Sequence, residues 1–473
     1  MVKDGEPVVK PDSLHVAFDD ERLVSHVGLM LPASLAGRLG IEALVGETVD
    51  LSGREGAVAP GRKVMTLVSG MLAGADCIDD MNVLRIGETE RVLGHDVMAP
   101  STLGTFLRAF TFGHVRQLDR VLDVSLQRAW ASGAGPGEQR LVIDIDSFIG
   151  EVCDYRKQGA AYGYTKKLGY HPLAATRAGT GEVLHIRNRK GCAKTQRGQQ
   201  RFVDELLARV RRAGASGAIL LRADSGFESK QTFKRLEDQG IQLSIGVKQH
   251  KHVSAAIEAI PQKAWQTLED YPDSGEAQIA ETKLGQWRLV VRRVRTLSEQ
   301  GQLFDTWQHF ALATNRSEPL AIVEAEHREH AVVELYIRDL KDQALAHFPS
   351  GRFAANSAWC AIAALAHNLG RWSAMIGLPD GVPRTAATRR RRLFTVPGRL
   401  TRSARRWTLH LPSRWPWREQ LTAALERIGA LAAVARRSSG PRGDQTPRPA
   451  GLGQLLLFGD GVSHGDERAI ATA

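Results

Sequence analysis

Leu141-Val142-Ile143-Asp144-Ile145-Asp146-Ser147-Phe148 is an apolar run with two aspartates set two residues apart near its end. A short apolar run bounded by turn residues reads as a buried strand. The pattern returns in Ile219-Leu220-Leu221-Arg222-Ala223-Asp224-Ser225-Gly226-Phe227, where Asp224 again closes the run. A glutamate, Glu334, follows inside the helix-like stretch from His327 to Lys341. Two strand-end carboxylates and one helical carboxylate suit metal-dependent phosphoryl transfer. Two divalent ions about 4 Å apart can activate an attacking oxygen and stabilise a leaving one. Mg²⁺, or Mn²⁺ in its place, takes oxygen ligands and needs only a few carboxylates.

The expected metal ligands and catalytic residues are therefore Asp146, Asp224 and Glu334. Asp144 and Asp146 share a face at period two, so the first ligand stays open between them. Asp146 is preferred because it ends the apolar run and precedes Ser147.

Outward from this centre, residues 1–137 read as a helical N-terminal DNA-binding region, with a DNA-reading helix-turn-helix and a simple packed bundle both open for its helices. Leu23, Val27 and Leu31 recur at four-residue spacing, and Val64, Leu67, Val68 and Met71 at three and four. Pro100-Ser101-Thr102-Leu103 reads as a helix start with a serine cap. Ala131 to Gly137 reads as a flexible break. Residues 138–263 form the first part of a mixed α/β core: the first strand, a hairpin around Ala178-Gly179-Thr180-Gly181, a helix from Gln200 to Ala213, the Asp224 strand, a helix after Ser229 and a strand from Gln242 to Val247. Residues 264–318 read as a β-rich insertion holding Trp287 and Trp307, and 319–378 as the last part of the core with the Glu334 helix and a helix from about Asn356 to Trp372.

Eleven arginines and no acidic residue lie between Gly381 and Arg418, a count that equals the net charge of +11 of the whole chain. With Trp407, Trp415 and Trp417 interleaved, residues 379–437 read as a basic arm that tracks a phosphate backbone, through Arg389, Arg390, Arg391, Arg392, Arg405 and Arg406 among others. Lys166, Lys167, Arg187, Arg189 and Lys190 form a second basic cluster near the first strand. Residues 438–473 are rich in Gly, Ser, Pro and Arg and read as disordered. The four cysteines, Cys77, Cys153, Cys192 and Cys360, form no CxxC pair, which excludes a zinc ribbon or a disulfide framework and suits a reducing cytosol. No apolar segment is long enough to cross a membrane.

Asp146-Ser147, Arg222-Ala223-Asp224-Ser225-Gly226-Phe227, the stretch from His327 to Lys341 and Gly159-Ala160-Ala161-Tyr162-Gly163-Tyr164-Thr165-Lys166-Lys167-Leu168-Gly169-Tyr170-His171-Pro172-Leu173 resemble bacterial insertion-sequence DDE transposases, most closely insertion-sequence family 1380. The resemblance covers most of residues 100 to 420. It implies a ribonuclease-H-like core and a bacterial cytoplasmic, nucleoid-associated protein. In related enzymes a Tyr, an Arg, the catalytic Glu and a Lys share one helical region. Here those positions hold His327, His330, Glu334 and Lys341, so only the last two match. Lys341 is expected to hold a DNA phosphate, and His330 to touch phosphate or orient a carboxylate. Asn356 and Asn368 are expected to pack and cap, and Trp287 and Trp307 to be sheet core or to stack on a flipped base.

The reading is a transposase that binds its element's terminal inverted repeats as double-stranded DNA, hydrolyses the ends and joins the 3′-hydroxyls to target DNA, as a homodimer on paired ends. Two alternatives stay open: a metal-dependent nuclease on the same core, and a non-catalytic DNA-binding protein descended from a transposase.

Overall fold

The first aspartate run forms an interior strand of a nine-stranded sheet, third from one edge. The computed structural model describes residues 10–434 apart from 164, 270, 272–274, 297–306 and 382–383. A short strand, β1 (Leu23–Val24), precedes helices α1 (Met30–Arg38), α2 (Ile41–Thr48), α3 (Pro60–Ala73), α4 (Thr89–Leu93), α5 (Pro100–Arg108) and α6 (Phe112–Ala129). The repeat of Val64, Leu67, Val68 and Met71 gives α3 a wholly buried face. Pro100 opens α5 as expected of a residue with no amide hydrogen to lose, but Ser101 does not cap it: Ala99 holds the cap position. The expected flexible break is a wide turn over Trp130–Ala134, anchored by the buried indole of Trp130, which donates to Glu182 Oε1 at 3.1 Å.

The core follows as β2 (Leu141–Ser147), three short strands β3 (Gly150–Glu151), β4 (Ala161–Tyr162) and β5 (Leu168–Tyr170), then β6 (Leu173–Arg177), β7 (Val183–Arg187), α7 (Gln199–Arg212), β8 (Ile219–Ala223), α8 (Lys230–Asp238), β9 (Gln242–Val247) and α9 (Lys251–Glu258). Ser229 caps α8, accepting from the Thr232 amide at 3.4 Å. After these come β10 (Gln266–Thr267), β11 (Gly275–Leu284), β12 (Trp287–Thr296) and β13 (Gln308–Thr314). The large sheet runs β10-β11-β12-β13-β9-β8-β2-β6-β7, with β2, β8 and β9 mutually parallel, β6 antiparallel to β2 and β7 antiparallel to β6.

Residues 264–318 are β-rich, as expected, and they continue the core sheet. Strand β13 pairs with β9 from Ala311↔Val247 to Thr314↔Ser244, so the edge that β9 would otherwise present is covered.

The glutamate stretch departs from a single helix. It divides into α10 (Leu320–Arg328), a 3-10 turn at Glu329–Ala331, α11 (Val332–Leu340) and a wide turn from Lys341 to Leu345. Helix α12 (Phe353–Gly377) then runs through the protein with nearly every residue buried, and α3, α6 and α14 (Arg418–Gly429) lie against it. Apolar residues all round a helix require such a covered position. Between them lie α13 (Ala386–Arg389) and the hairpin β14 (Gly398–Ser403) and β15 (Arg406–His410), joined to β1 in a separate three-stranded sheet.

Residues 379–434 therefore do not hang free as an arm. Arg389 is buried against Asp339 and the Arg384 carbonyl, so it is not an outward DNA contact, because a buried guanidinium is held by the protein acceptors around it. Arg390 donates to the Asp342 carbonyl at 3.2 Å. Arg391, Arg405 and Arg406 are exposed, and Arg392 lies over the Trp417 ring at 5.3 Å. The expected disordered tail lies outside the described residues. Among the described residues no single helix is long and apolar enough to cross a membrane.

Asn368 of α12 closes the outer edge of the large sheet. Its amide accepts from the Val183 N–H at 2.7 Å and donates to the Val183 carbonyl at 2.8 Å, as a neighbouring strand would. Asn356 ties Tyr170 Oη (3.0 Å) to the Ser350 carbonyl (2.7 Å), so both asparagines pack and cap as expected. Asn368→Ala leaves two buried backbone groups unpaired. The expected loss is about 2–4 kcal/mol, read from the denaturant midpoint at unchanged slope.

Candidate active site

The parallel pairing of β2 with β8 sets Asp144 directly opposite Arg222. Their side chains close a bidentate ion pair, Nε to Oδ1 at 2.7 Å and Nη2 to Oδ2 at 2.9 Å, with both residues almost fully buried. A fork of this geometry holds two strands in one register. Two residues further along, Asp146 is the penultimate residue of β2, and Asp224 follows the end of β8.

The same pair docks the glutamate segment. His330 Nδ1 lies 3.0 Å from Asp144 Oδ1, and Arg222 Nη1 reaches the Glu326 carbonyl (2.5 Å) and Glu329 Oε2 (3.3 Å). His330 thus orients a carboxylate, and its side chain is only 12% exposed. Beside it, His327 stacks at 6.2 Å between centroids and bonds Ser244 Oγ at 2.9 Å. Burial, then the neighbouring His330 and Arg222, push the His327 imidazole down to about 3, so it stays neutral. The break at Glu329–Ala331 lies in this anchored segment, one turn before Glu334.

Glu334 and Asp224 line one cleft of about 1000 Å³, with Lys248, Arg292, Phe310, His327 and His330 on its walls. Asp224 also borders a second cleft, toward Tyr162, Lys194 and Thr195. Asp146 feels both partners. Burial first, then the charges of Asp224 and Glu334, raise its carboxyl to about 6 against the opposing Ser147 amide and His330. Asp224 is also raised, chiefly by burial, while the Gly226 amide, His330 and Lys248 pull the other way. One close approach demands glycine here: a Cβ on Gly246 of β9 would sit 2.9 Å from the Ser225 backbone nitrogen.

Sequence reading did not assign His171 a role. Its Nδ1 donates to the Ala193 carbonyl at 2.7 Å, which leaves Nε2 to accept from Ser147 Oγ at 2.9 Å, next to Asp146. Its signal was its place in the Gly159–Leu173 segment. Lys248, just past β9, was missed as well; it is exposed and acts on Asp224.

The second basic cluster divides. Arg187 pairs with Glu205 (2.5 Å) and Asp119 (3.5 Å). Buried Arg189 clamps the carbonyls of His171, Lys194, Thr195 and Arg197. Both are structural, since each finds protein acceptors for its charge. Lys166, Lys167 and Lys190 are exposed, with Lys167 on Glu151 at 2.5 Å. Lys341 begins the turn after α11, and its ammonium lies 5.5 Å from the Phe148 ring centre. Trp287 is buried edge-on against Phe233 at 5.2 Å, a sheet-core position, and Trp307 lies under Arg293 at 4.5 Å.

Among the described residues, the one trio whose donor atoms converge within 4.8 Å is Asp76, Cys77 and Asp80, on the loop after α3 and not in this cleft. Asp146, Asp224 and Glu334 are spaced more widely. An all-carboxylate donor set whose members repel one another fits hard divalent cations that keep part of their water.

Residues 6–433 match the transposase DDE domain group 1 family. The chain belongs to that family. It is a DDE transposase, a DNA-cleaving and strand-transferring enzyme of a class that uses divalent metal. No curated protein matches it. Its fold is similar to that of a piggyBac transposase in a synaptic complex with hairpin DNA, at 14% identity and a TM-score of 0.40, over 77% of this chain and 79% of the other.

Two outcomes test the site's electrostatics. Arg222→Met strands the Asp144 charge and lowers the transposase's stability by about 3–5 kcal/mol, while Asp144→Leu added to it recovers most of the loss; chemical unfolding of both reads this. The Asp146 carboxyl is raised in the folded state from 3.8 to about 6, so its contribution to stability is present at acid pH and lost as pH rises through that window. With chelator present, Asp146→Asn therefore melts above wild type at pH 7 and level with it near pH 4.

Proposed function

We propose that Asp146, Asp224 and Glu334 are the catalytic carboxylates, that they bind Mg²⁺ with Mn²⁺ as a substitute, and that Asp144 positions them. The observation that carries this is the Asp144↔Arg222 register: it commits Asp144 to an ion pair and leaves Asp146 beside Asp224 at the ends of adjacent parallel strands. Divalent metal bound there supplies activation of the attacking oxygen and neutralisation of charge at phosphorus.

The chain's own groups do the rest. Ser147 fixes the Asp146 carboxylate through its backbone amide (2.6 Å), and Gly226 does the same for Asp224 (3.0 Å). His330 holds the Glu334 segment against β2 through Asp144. Lys248, at the cleft wall, offers a phosphate contact. Lys166, Lys167, Lys341, Arg390, Arg391, Arg392, Arg405 and Arg406 are proposed to contact the DNA, with Arg389 excluded by its burial. Lys167 can leave Glu151 for phosphate at little cost, because an exposed pair is worth under about 1 kcal/mol.

The reaction is proposed as hydrolysis at terminal inverted repeats followed by joining of the 3′-hydroxyl to target DNA, by a homodimer on paired ends. The β7-β6-β2-β8-β9 order, an antiparallel hairpin beside parallel strands, supports a ribonuclease-H-like core. The Gly159–Leu173 segment supports membership of insertion-sequence family 1380.

Asp224→Asn and Glu334→Gln are each expected to abolish cleavage of element-end duplex and transfer of a pre-cut 3′-hydroxyl end, with duplex binding retained. Either variant working at the wild-type rate would exclude the assignment.

A further inference from the structure

The β14–β15 hairpin has two unlike faces. Directly opposed residues of an antiparallel pair share a face. One face carries Leu400↔Leu409 and Arg402↔Trp407, continuing through Val24 of β1. Val24 and Leu400 are buried, and Arg91 of α4 lies over the Trp407 ring at 4.4 Å, so this side rests on the body of the protein.

The other face carries Arg399↔His410, Thr401↔Thr408 and Ser403↔Arg406. All six are exposed or partly exposed, none is acidic, and each brings hydrogen-bonding groups. Arg399 touches Asp20 at 3.3 Å, and Thr401 Oγ1 meets His410 Nε2 at 2.9 Å. The hairpin turns at Ala404, whose φ of +50° is the left-handed conformation of a tight turn. The residues that β14 and β15 place on this face are all polar and include two arginines, with exposed Leu23 of β1 beside Arg399, and the charge of the face complements a polyanion.

We propose that this face enters the major groove of double-stranded DNA and reads base edges. The shape fits: β1 pairs only with Gly398 and Arg399, so from Leu400 to Leu409 the hairpin is a two-stranded ribbon, which enters the roughly 12 Å major groove but not the roughly 6 Å minor groove. Arg399 and Arg406 can fork onto guanine O6 and N7, and the Ser and Thr hydroxyls can meet either donors or acceptors. The hairpin thus serves recognition of the element end, while the exposed lysines near the carboxylates serve phosphate. This proposal rests on the transposase reading.

The test uses the full chain and duplexes from the DNA flanking its coding sequence, against scrambled duplexes of equal composition, by fluorescence anisotropy at one salt concentration. Wild type is expected to prefer one flanking duplex. Arg406→Ala is expected to lose that preference by about tenfold or more, with affinity for the scrambled duplex changed less than about threefold. Replacing guanine by 7-deazaguanine in the preferred duplex is expected to weaken wild type by a similar factor and Arg406→Ala little. Thr408→Val, on the same solvent-facing side, reduces the preference without changing the melting temperature. Equal loss on both duplexes would reduce the face to a phosphate contact and overturn base reading. Unchanged binding, or absence of any wild-type preference, would overturn the hairpin's role. Failure of the transposase reading shows separately, as absence of metal-dependent cleavage and joining by wild type on the same flanking DNA.

Discussion

A carboxylate taken out of water costs several kcal/mol unless its charge is met by a partner with good geometry. Asp144 is buried, and Arg222 meets it with two parallel hydrogen bonds from the facing strand. A slip of one residue between β2 and β8 would part the pair and turn every side chain of the slipped strand to the other face. The ion pair thus enforces the register that sets Asp146 beside Asp224. Because His330 and Glu329 bond to the same two groups, it also carries the glutamate segment to its place. One buried pair gathers three parts of the chain that lie up to 186 residues apart.

The positive charge of the chain has two uses. Arg189, Arg222, Arg371 and Arg389 are buried and spend their donors on backbone carbonyls or carboxylates, as in the Arg371–Asp339 contact at 2.9 Å. Arg391, Arg405 and Arg406 stay outside, where counterion release on binding DNA is available to them. Helix α12 makes this division possible, since it brings the N-terminal helices and the C-terminal segment onto the core, and a buried helix end region must then supply charge partners internally.

Much of the core was legible because its strands are short and apolar and its helices periodic. β2, the β6–β7 hairpin, α7, β8, α8 and β9 fall where the patterns put them. What was not legible depends on contacts distant in sequence. Strand β13 could pair with any open edge, and composition does not say that it takes that of β9. The choice between Asp144 and Asp146 is invisible at period two until Arg222 is placed opposite one of them. The 3-10 break before α11 follows from the anchoring of His330 and Glu329 rather than from a helix breaker. The arginine count was right as a sum, but the burial of Arg389 is a fact of tertiary structure.

The division of labour between the two aspartates of β2 is the central claim, and Mn²⁺ binding measured by paramagnetic resonance on Asp144→Asn and Asp146→Asn tests it most directly. The account predicts that Asp146→Asn loses cleft-bound Mn²⁺ with no loss of metal-free stability, and that Asp144→Asn keeps the Mn²⁺ stoichiometry, with weakened affinity and lower stability. Loss of Mn²⁺ in Asp144→Asn together with intact binding in Asp146→Asn would contradict it.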